Sequence, residues 1–508
     1  MNSSQMKMLL LVAIGCILWL IPTPEGLTDQ AWQMMAIFVT TVLSLILAPL
    51  PLGAMALMGL TLATLLGVLP IKTALTGFAH PTIWMIAAAF FISRGFITTG
   101  FGRRVGYWFI SKLGHNSLGL AYGLVLTDLL FAPATPSTTA RCGGIISPLF
   151  RSVASAYDSD PEKGTENRIG AFLVQCIFQC NAITCAMFLT SMAGNPLAAN
   201  FAKEQGVEIT WAGWATAAIV PGLLCLFLIP LVMYMVFPPE LKKTPEMREI
   251  ARQKLAEMGK MTRDELMVCI TFIGMVSLWV LGPTLGIHAT VTALLGLVFL
   301  LLTHTITWDA VLGEKEAWHT ITWFAVLVMM AAQLNKLGFI SWFSESMAES
   351  LSGFGWVTTI VVLLLVYYYS HYLMASAMAH ISAMYSAFLA IAISAGALRC
   401  LLRLFLVFSA TCICQPRITR LALRQSCLVL VSTLCKTGGK SGLSSHSSSF
   451  QSLFLLAVRG GSFSAFGNPQ FITHRNQKTA RLGGFLSIQS LSNKNLLNRF
   501  YRHCSTTH

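Results

Sequence analysis

Charge is scarce in this sequence. Of 508 residues only 11% are Asp, Glu, Lys or Arg, 55% are hydrophobic, and the mean hydropathy is +0.68. A soluble domain carries about 25% charged residues, so so apolar a chain is read as a polytopic membrane protein. Acid is absent altogether from the last fifth. Residues 398–508 hold 14 Lys and Arg without one Asp or Glu, whereas residues 1–397 hold 20 of each sign. The formal charge of +14 therefore belongs to a tail behind a neutral body, which speaks against a nucleic-acid partner for the chain as a whole. Among 13 cysteines there is no Cys-x-x-Cys pair or finger spacing, so neither a zinc site nor a disulfide framework is indicated, and Cys176 and Cys180 read as core packing. His-Glu-x-x-His and Gly-x-Ser-x-Gly are missing too. An intramembrane hydrolase would lack its chemistry, and no catalytic residue is assigned.

What the sequence has instead is apolar runs. The first, Met8 to Pro22, leads without a small-residue cleavage site into further spans beginning near Trp32, Gly53, Pro81, Ile169, Trp214, Leu266, Ala289 and Trp318. Lys and Arg cluster at Arg103, Arg104 and Lys112, at Arg151, Lys163 and Arg168, and between Lys242 and Arg263. The positive-inside rule places these clusters in the cytoplasm. Lys112 and Arg151 then share a side although an apolar segment separates them, so residues 116–150 are expected to enter the membrane and return. The midpoint of that segment, Phe131 to Ala140, carries two prolines and a run of small hydroxyl residues that break a helix. Non-helical backbone at membrane depth survives only where it is buried in protein or lines a wet cavity, so the polar tip is a candidate binding site. The stretch 238–265, with mixed signs at helical spacing, is read as a solvated cytoplasmic linker helix.

The two flanking blocks echo one another. From Gly100 to Ser137 is 37 residues and from Gly338 to Ser376 is 38. Each serine sits among small residues inside a long interrupted apolar run, with a basic residue, Arg141 or His380, four positions later. Two re-entrant hairpins of opposite orientation form the inverted-repeat transporter plan. The expected fold is all-α: a first repeat over 1–237 with an inward hairpin at 116–150 and a broken helix at 169–203, the linker, and a second, incomplete repeat over 266–397 with an outward hairpin at 354–395. A channel would give no reason for such a repeat.

Five segments carry a family resemblance: Gly100 to Arg104, Ala132 to Arg141, Thr190 to Leu197, Leu337 to Phe343 and His371 to His380. Over roughly Met8 to Ala397 the chain resembles the divalent anion/sodium symporters that carry di- and tricarboxylates, in particular their 2-oxoglutarate/malate and tartrate/succinate translocator branch. The resemblance implies a homodimer in a bacterial inner membrane, moving a small dicarboxylate across the lipid bilayer by an elevator-type alternating-access mechanism. It also implies a Ser-Asn-Thr-like triplet at each hairpin tip that holds a substrate carboxylate. Ser137, Thr138 and Thr139 fill the first triplet without its Asn; Ser376, Ala377 and Met378 fill the second, keeping only Ser. The segment Ala193-Gly194-Asn195-Pro196 is expected to break a helix and close the cavity wall, with Asn195 and Pro196 beside the substrate.

No cofactor is implied beyond Na+ as a coupling ion, and Arg141, Gly194 and His380 mark that region. Ionisable residues at membrane depth cost roughly 2.5–3.5 kcal/mol on the insertion scale and are usually functional. Fixed cations standing where a symporter binds mobile ones favour exchange over sodium-coupled symport. The same positions also allow Arg141 to snorkel or to pair with Asp128, and His380 to pack as a neutral ring.

The tail at 398–508 lacks the broken helix with a His-Tyr-Gly-Thr-Gly-Pro-like segment and the final span that the family resemblance calls for. Codons compatible with Ala397 to Leu443, read one nucleotide earlier, can encode a peptide that includes HYALGTAP and NWWQKW. A frameshift near Ala397 is therefore expected, giving a tail that does not fold and a product that does not transport. The alternative is a genuine basic, disordered tail.

Overall fold

The computed structural model describes residues 3–351, 356–370 and 380–394, and the tail lies outside the described residues. The described part is helical. It opens with α1 (Ser3–Leu20), α2 (Asp29–Leu47), α3 (Leu52–Leu65), the short α4 (Ile71–Ala74) and α5 (Pro81–Thr98). The first hairpin region follows, as α6 (Phe101–Leu113), α7 (Ser117–Phe131), α8 (Thr138–Arg141) and α9 (Ser147–Ala156). Next come α10 (Gly170–Met187), α11 (Gly194–Glu204), α12 (Trp211–Val236) and α13 (Pro245–Glu257). The second block holds α14 (Arg263–Leu285), α15 (Ala289–Leu302), α16 (Trp308–Leu312), α17 (Lys315–Lys336), α18 (Phe339–Leu351), α19 (Trp356–Ser370) and α20 (Ser386–Ser394).

Among the described residues seven helical segments are long and apolar enough to cross a membrane: α2, α5, α7 with the turn after it, α10, α12, α14 and α17. Their burial differs in a way that places them. In its most apolar window α10 is 89% buried, whereas α12 is 22% buried and exposes Val220, Leu223, Leu224 and Phe227. A central helix is thus apolar all round because protein surrounds it, and a peripheral one because its outer face meets hydrocarbon.

Structural features recur along the chain. α3 and α15 each have 14 residues. The glycines that open α6 and α18, Gly100 and Gly338, sit at φ +82° and +83°, a left-handed conformation that other residues adopt only under strain. A five-residue π-helical turn follows Arg141 at Cys142–Ile146, and another follows His380 at Ile381–Tyr385. Helix starts, glycines and π-turns in the second set lie 237–239 positions beyond those in the first.

The stretch read as a solvated linker is tied down. One face of α13 packs on α6 and buries Met247 and Ala251. The backbone before it is laced to both loops at the base of the hairpin: Leu241 N donates to Arg168 O at 3.0 Å, Ser117 N to Lys242 O at 3.2 Å, and Thr244 N to His115 O at 3.0 Å. Arg104 closes the far end. Its Nε donates to Glu265 Oε1 at 2.9 Å, while its Nη atoms reach the carbonyls of Met258, Gly259 and Lys260 at 2.8–3.3 Å. Those carbonyls end α13 without helical donors, so the guanidinium caps one helix and holds the capping box of the next, Thr262 with Glu265.

Candidate functional site

The first hairpin turns at Ala132 to Ser137. Asn116 caps α7 by accepting from Gly119 N, and Pro133 and Pro136 forbid the helix from continuing past Phe131. Phe131 itself is fully buried, with ring centroids 5.5 Å from Phe96 and 5.8 Å from Phe101, and this aromatic wedge anchors the turn. The chain then makes a 3-10 turn at Ala132–Ala134 and runs extended from Thr135 to Ser137, whose hydroxyl accepts from Ala140 N at 3.1 Å and starts the return helix. Ser137 and Thr138 are half-buried and Thr139 is exposed, so the tip faces open space. First-turn amides of a helix have no intrahelical acceptor. Those of Thr138 and Thr139, with the two threonine hydroxyls, therefore form a donor surface suited to a carboxylate.

Opposite the tip, α10 stops at Met187 and α11 begins at Gly194. The helix break is thus Phe188 to Ala193. It lies before the Ala193–Pro196 segment expected from the sequence, because Pro196 is the third residue of α11, where no intrahelical N–H is required. Asn195 is fully buried and turned back on the break: its Nδ2 donates to Cys185 O and Phe188 O, both at 2.8 Å. Gly194 opens the helix beside it. The Asn195 amide nitrogen thus holds the end of α10 at the break.

Tip and break are fastened together. Ala193 N donates to Pro136 O at 3.1 Å, and Thr190 Oγ1 donates to Pro133 O while accepting from Trp211 Nε1 at 3.0 Å. Trp211 stacks between Phe188 and Trp279, at 5.8 and 5.9 Å, and walls off the junction. Two oxygens in this junction, Thr135 Oγ1 and Asn195 Oδ1, are buried and meet no hydrogen-bond partner among the described residues. Buried polar atoms are nearly always paired, so these two oxygens stand out in the junction, and Thr135 is one that the sequence reading did not name.

Arg141 is the hub. Fully buried, it donates from Nε to Asp128 Oδ1 at 2.5 Å, from Nη1 to Thr135 O at 3.0 Å and Ser191 O at 3.3 Å, and from Nη2 to Thr184 Oγ1 at 3.3 Å. Of the arrangements the sequence allowed, the structure has the ion pair with Asp128. Arg141 is therefore not an unneutralised charge. Its guanidinium donates to two main-chain carbonyls, one from the tip and one from the break.

In the second hairpin Ser376, Ala377 and Met378 lie outside the described residues. His380 is fully buried, with Nε2 2.9 Å from Ser370 Oγ and its ring centroid 4.2 Å from that of Tyr367. α11 joins the two hairpin regions. Its first turn borders the first tip, and at its far end Phe201 stacks on Tyr385 at 6.5 Å and Gln205 donates to Ser386 O at 2.8 Å. Among the described residues no group of three or more His, Cys, Asp or Glu side chains could hold a metal ion.

Comparison with known proteins extends this geometry. Residues 2–433 match the family model described as the sodium:sulfate symporter transmembrane region. The chain is 52% identical over 402 residues, 79% of its length and 84% of the relative's, to YflS of Bacillus subtilis (strain 168), which carries a provisional malate-transporter name. It is 46% identical over 388 residues, 76% of its length and 68% of the relative's, to the chloroplastic dicarboxylate transporter 1 of Spinacia oleracea. With the inner membrane protein YbhI of Escherichia coli (strain K12) it shares 35% identity over 417 residues, 80% of this chain and 87% of the relative.

Proposed function

This chain belongs to the sodium:sulfate symporter family, and we propose that within it the protein is a secondary carrier of dicarboxylate anions of the malate and 2-oxoglutarate class. It is a multi-pass protein that moves its substrate without a chemical step. One substrate carboxylate is received at the first hairpin tip by Ser137, Thr138, Thr139 and the hydroxyl of Thr135; Ser376, Ala377 and Met378 of the second hairpin are proposed to receive the other. A carboxylate at the midplane needs dehydrated, oriented donors, since leaving it unpaired there costs several kcal/mol. Small hydroxyls and free amides at broken helix ends supply them. Two inverted repeats, alternating access of the elevator type and a homodimer complete the proposal, and the recurrence of helix starts, left-handed glycines and π-turns supports the repeats.

The observation that carries this reading is the docking of the tip on the helix break with Arg141 between them. It also bears on coupling. With a tethered guanidinium on the Thr135 and Ser191 carbonyls, the first half-site does not fit a sodium ion at that point. A gradient of a second dicarboxylate is then the driving force, which is exchange. Because Asp128 neutralises Arg141, exchange follows from the want of a coupling ion and not from a buried bare charge. Substrate class is tested by competition. Uptake of labelled 2-oxoglutarate into proteoliposomes is expected to be suppressed by malate and succinate and untouched by acetate or pyruvate; equal suppression by monocarboxylates overturns the assignment.

A second reading concerns the tail alone. The 14 cations without a single acid after residue 397, and the transporter-like peptide in the neighbouring register, support a shifted frame that leaves this product without transport. The nucleotide sequence of the locus tests it. A register encoding that peptide supports the reading, and its absence ends it.

A further inference from the structure

No motif singles out Asp128, a lone acid three residues before the end of α7. Its side chain is nonetheless among the most heavily bonded in the junction. Besides Arg141 Nε, the carboxylate accepts from Asn181 Nδ2 at 3.1 and 3.0 Å and from Thr184 Oγ1. Asn181 and Thr184 are on α10, the helix whose end forms the break, so one carboxylate ties the entering arm of the hairpin, the returning arm and the broken helix. It is 3% exposed and Arg141 is fully buried. In the second hairpin the residues 239 positions beyond Asp128 and Arg141 are Tyr367 and His380, in ring contact at 4.2 Å. The same join is made there by an aromatic contact, so a charged pair is not a requirement of this architecture.

A bare guanidinium beside the tip would attract an incoming dianion strongly in a medium of low dielectric. A carrier must also release what it binds, and a site that holds the ground state too well slows turnover. We propose that Asp128 is a positioning residue, an internal counter-anion that keeps the Arg141 guanidinium on the carbonyls of Thr135 and Ser191 and off the substrate carboxylate. The neutral donors of Ser137 to Thr139 then bind substrate with an affinity that permits release. This rests on the reading of the tip as a dicarboxylate site.

The test compares Asp128→Asn, Asp128→Glu, Arg141→Gln and the double Asp128→Asn/Arg141→Gln, in the full chain, by malate exchange in proteoliposomes and thermal unfolding in detergent. Asp128→Asn is expected to lower KM by about threefold or more and the maximal rate by about tenfold, the signature of substrate held too tightly. Asp128→Glu is expected to stay near wild type. On the Arg141→Gln background, Asp128→Asn is expected to leave KM unchanged, because the carboxylate acts through the guanidinium. A raised or unchanged KM in Asp128→Asn, or the same fall in KM without Arg141, overturns the proposal. If Asp128→Asn does not fold, the comparison of Arg141→Gln with the double variant decides. If wild type exchanges no dicarboxylate, the functional reading fails on its own and the pairing is read from unfolding: non-additive shifts in Tm are expected, and additive shifts overturn it.

Discussion

Arg141 Nε lies 2.5 Å from Asp128 Oδ1, and neither side chain is open to solvent. The residues are 13 apart in sequence and belong to opposite arms of one hairpin. That contact turns a polar loop inside an apolar run into a fixed surface, because the same guanidinium also holds the helix break that faces the loop.

Removing the guanidinium exposes its ligands. Arg141→Ala leaves the Asp128 carboxylate, the Thr135 and Ser191 carbonyls and the Thr184 hydroxyl converging on one small space. Breaking a buried pair from one side costs about 3–5 kcal/mol, and a cation bound only by the folded state restores part of that. The variant is expected to unfold at a lower temperature than wild type in choline chloride and to recover several degrees in sodium chloride. Identical melting in the two salts contradicts the account.

The hydroxyls of the tip have separable roles. Ser137→Ala removes the cap on Ala140 N, for which the expected loss is about 1 kcal/mol of stability. Thr138→Val and Thr139→Val keep shape and lose donors, so each is expected to raise KM for malate about tenfold, with Tm close to wild type. Kinetics and melting curves on the same preparations separate the two effects.

Glu204, at the end of α11 before the loop to α12, supplies a pH dependence. Burial pushes its carboxyl up to about 7, against a smaller opposing effect of its hydrogen bond from Asn200. A carboxyl raised on folding binds its proton more tightly in the folded state, so stability is greatest below the unfolded value of 4.5 and falls as pH rises toward 7. Glu204→Gln is expected to flatten this part of the Tm profile between pH 4.5 and 8. A variant profile parallel to that of wild type contradicts the assignment.

Arg104 is expected to protect the segment that joins α13 to α14. Without its contacts to Glu265 and to the carbonyls of Met258, Gly259 and Lys260, that segment loses its fastening while the helices on either side keep their packing. Arg104→Ala should therefore be cut by trypsin at Lys260 or Arg263 several times faster than wild type, with a much smaller change in Tm. Equal cleavage rates argue against the clamp.

Much of this was legible in residue order. Prolines beside small hydroxyl residues marked the turn at Ala132 to Ser137, and apolar runs of span length marked α2, α5, α10, α12, α14 and α17. Recurrent spacing singled out Arg141 and His380. Asp128 was named only as an alternative partner for Arg141, since a helix interior gives no periodic cue to a contact across a hairpin. The helix break was placed a few residues late because Gly194 and Pro196 are strong breaker signals, yet a proline in the first turn of a helix breaks nothing. The buried face of α13 was hidden for a different reason: Met247 and Ala251 form too narrow a stripe in a stretch dominated by charge. Ser376, Ala377 and Met378 lie outside the described residues.

If Arg141 takes the place of a coupling ion, as proposed, this protein exchanges dicarboxylates without sodium. Uptake of labelled malate into proteoliposomes, loaded or not loaded with unlabelled malate, in sodium and in choline medium, tests it most directly. The account predicts uptake only into loaded vesicles, at the same rate in both media. Net uptake into empty vesicles driven by an inward sodium gradient would contradict it.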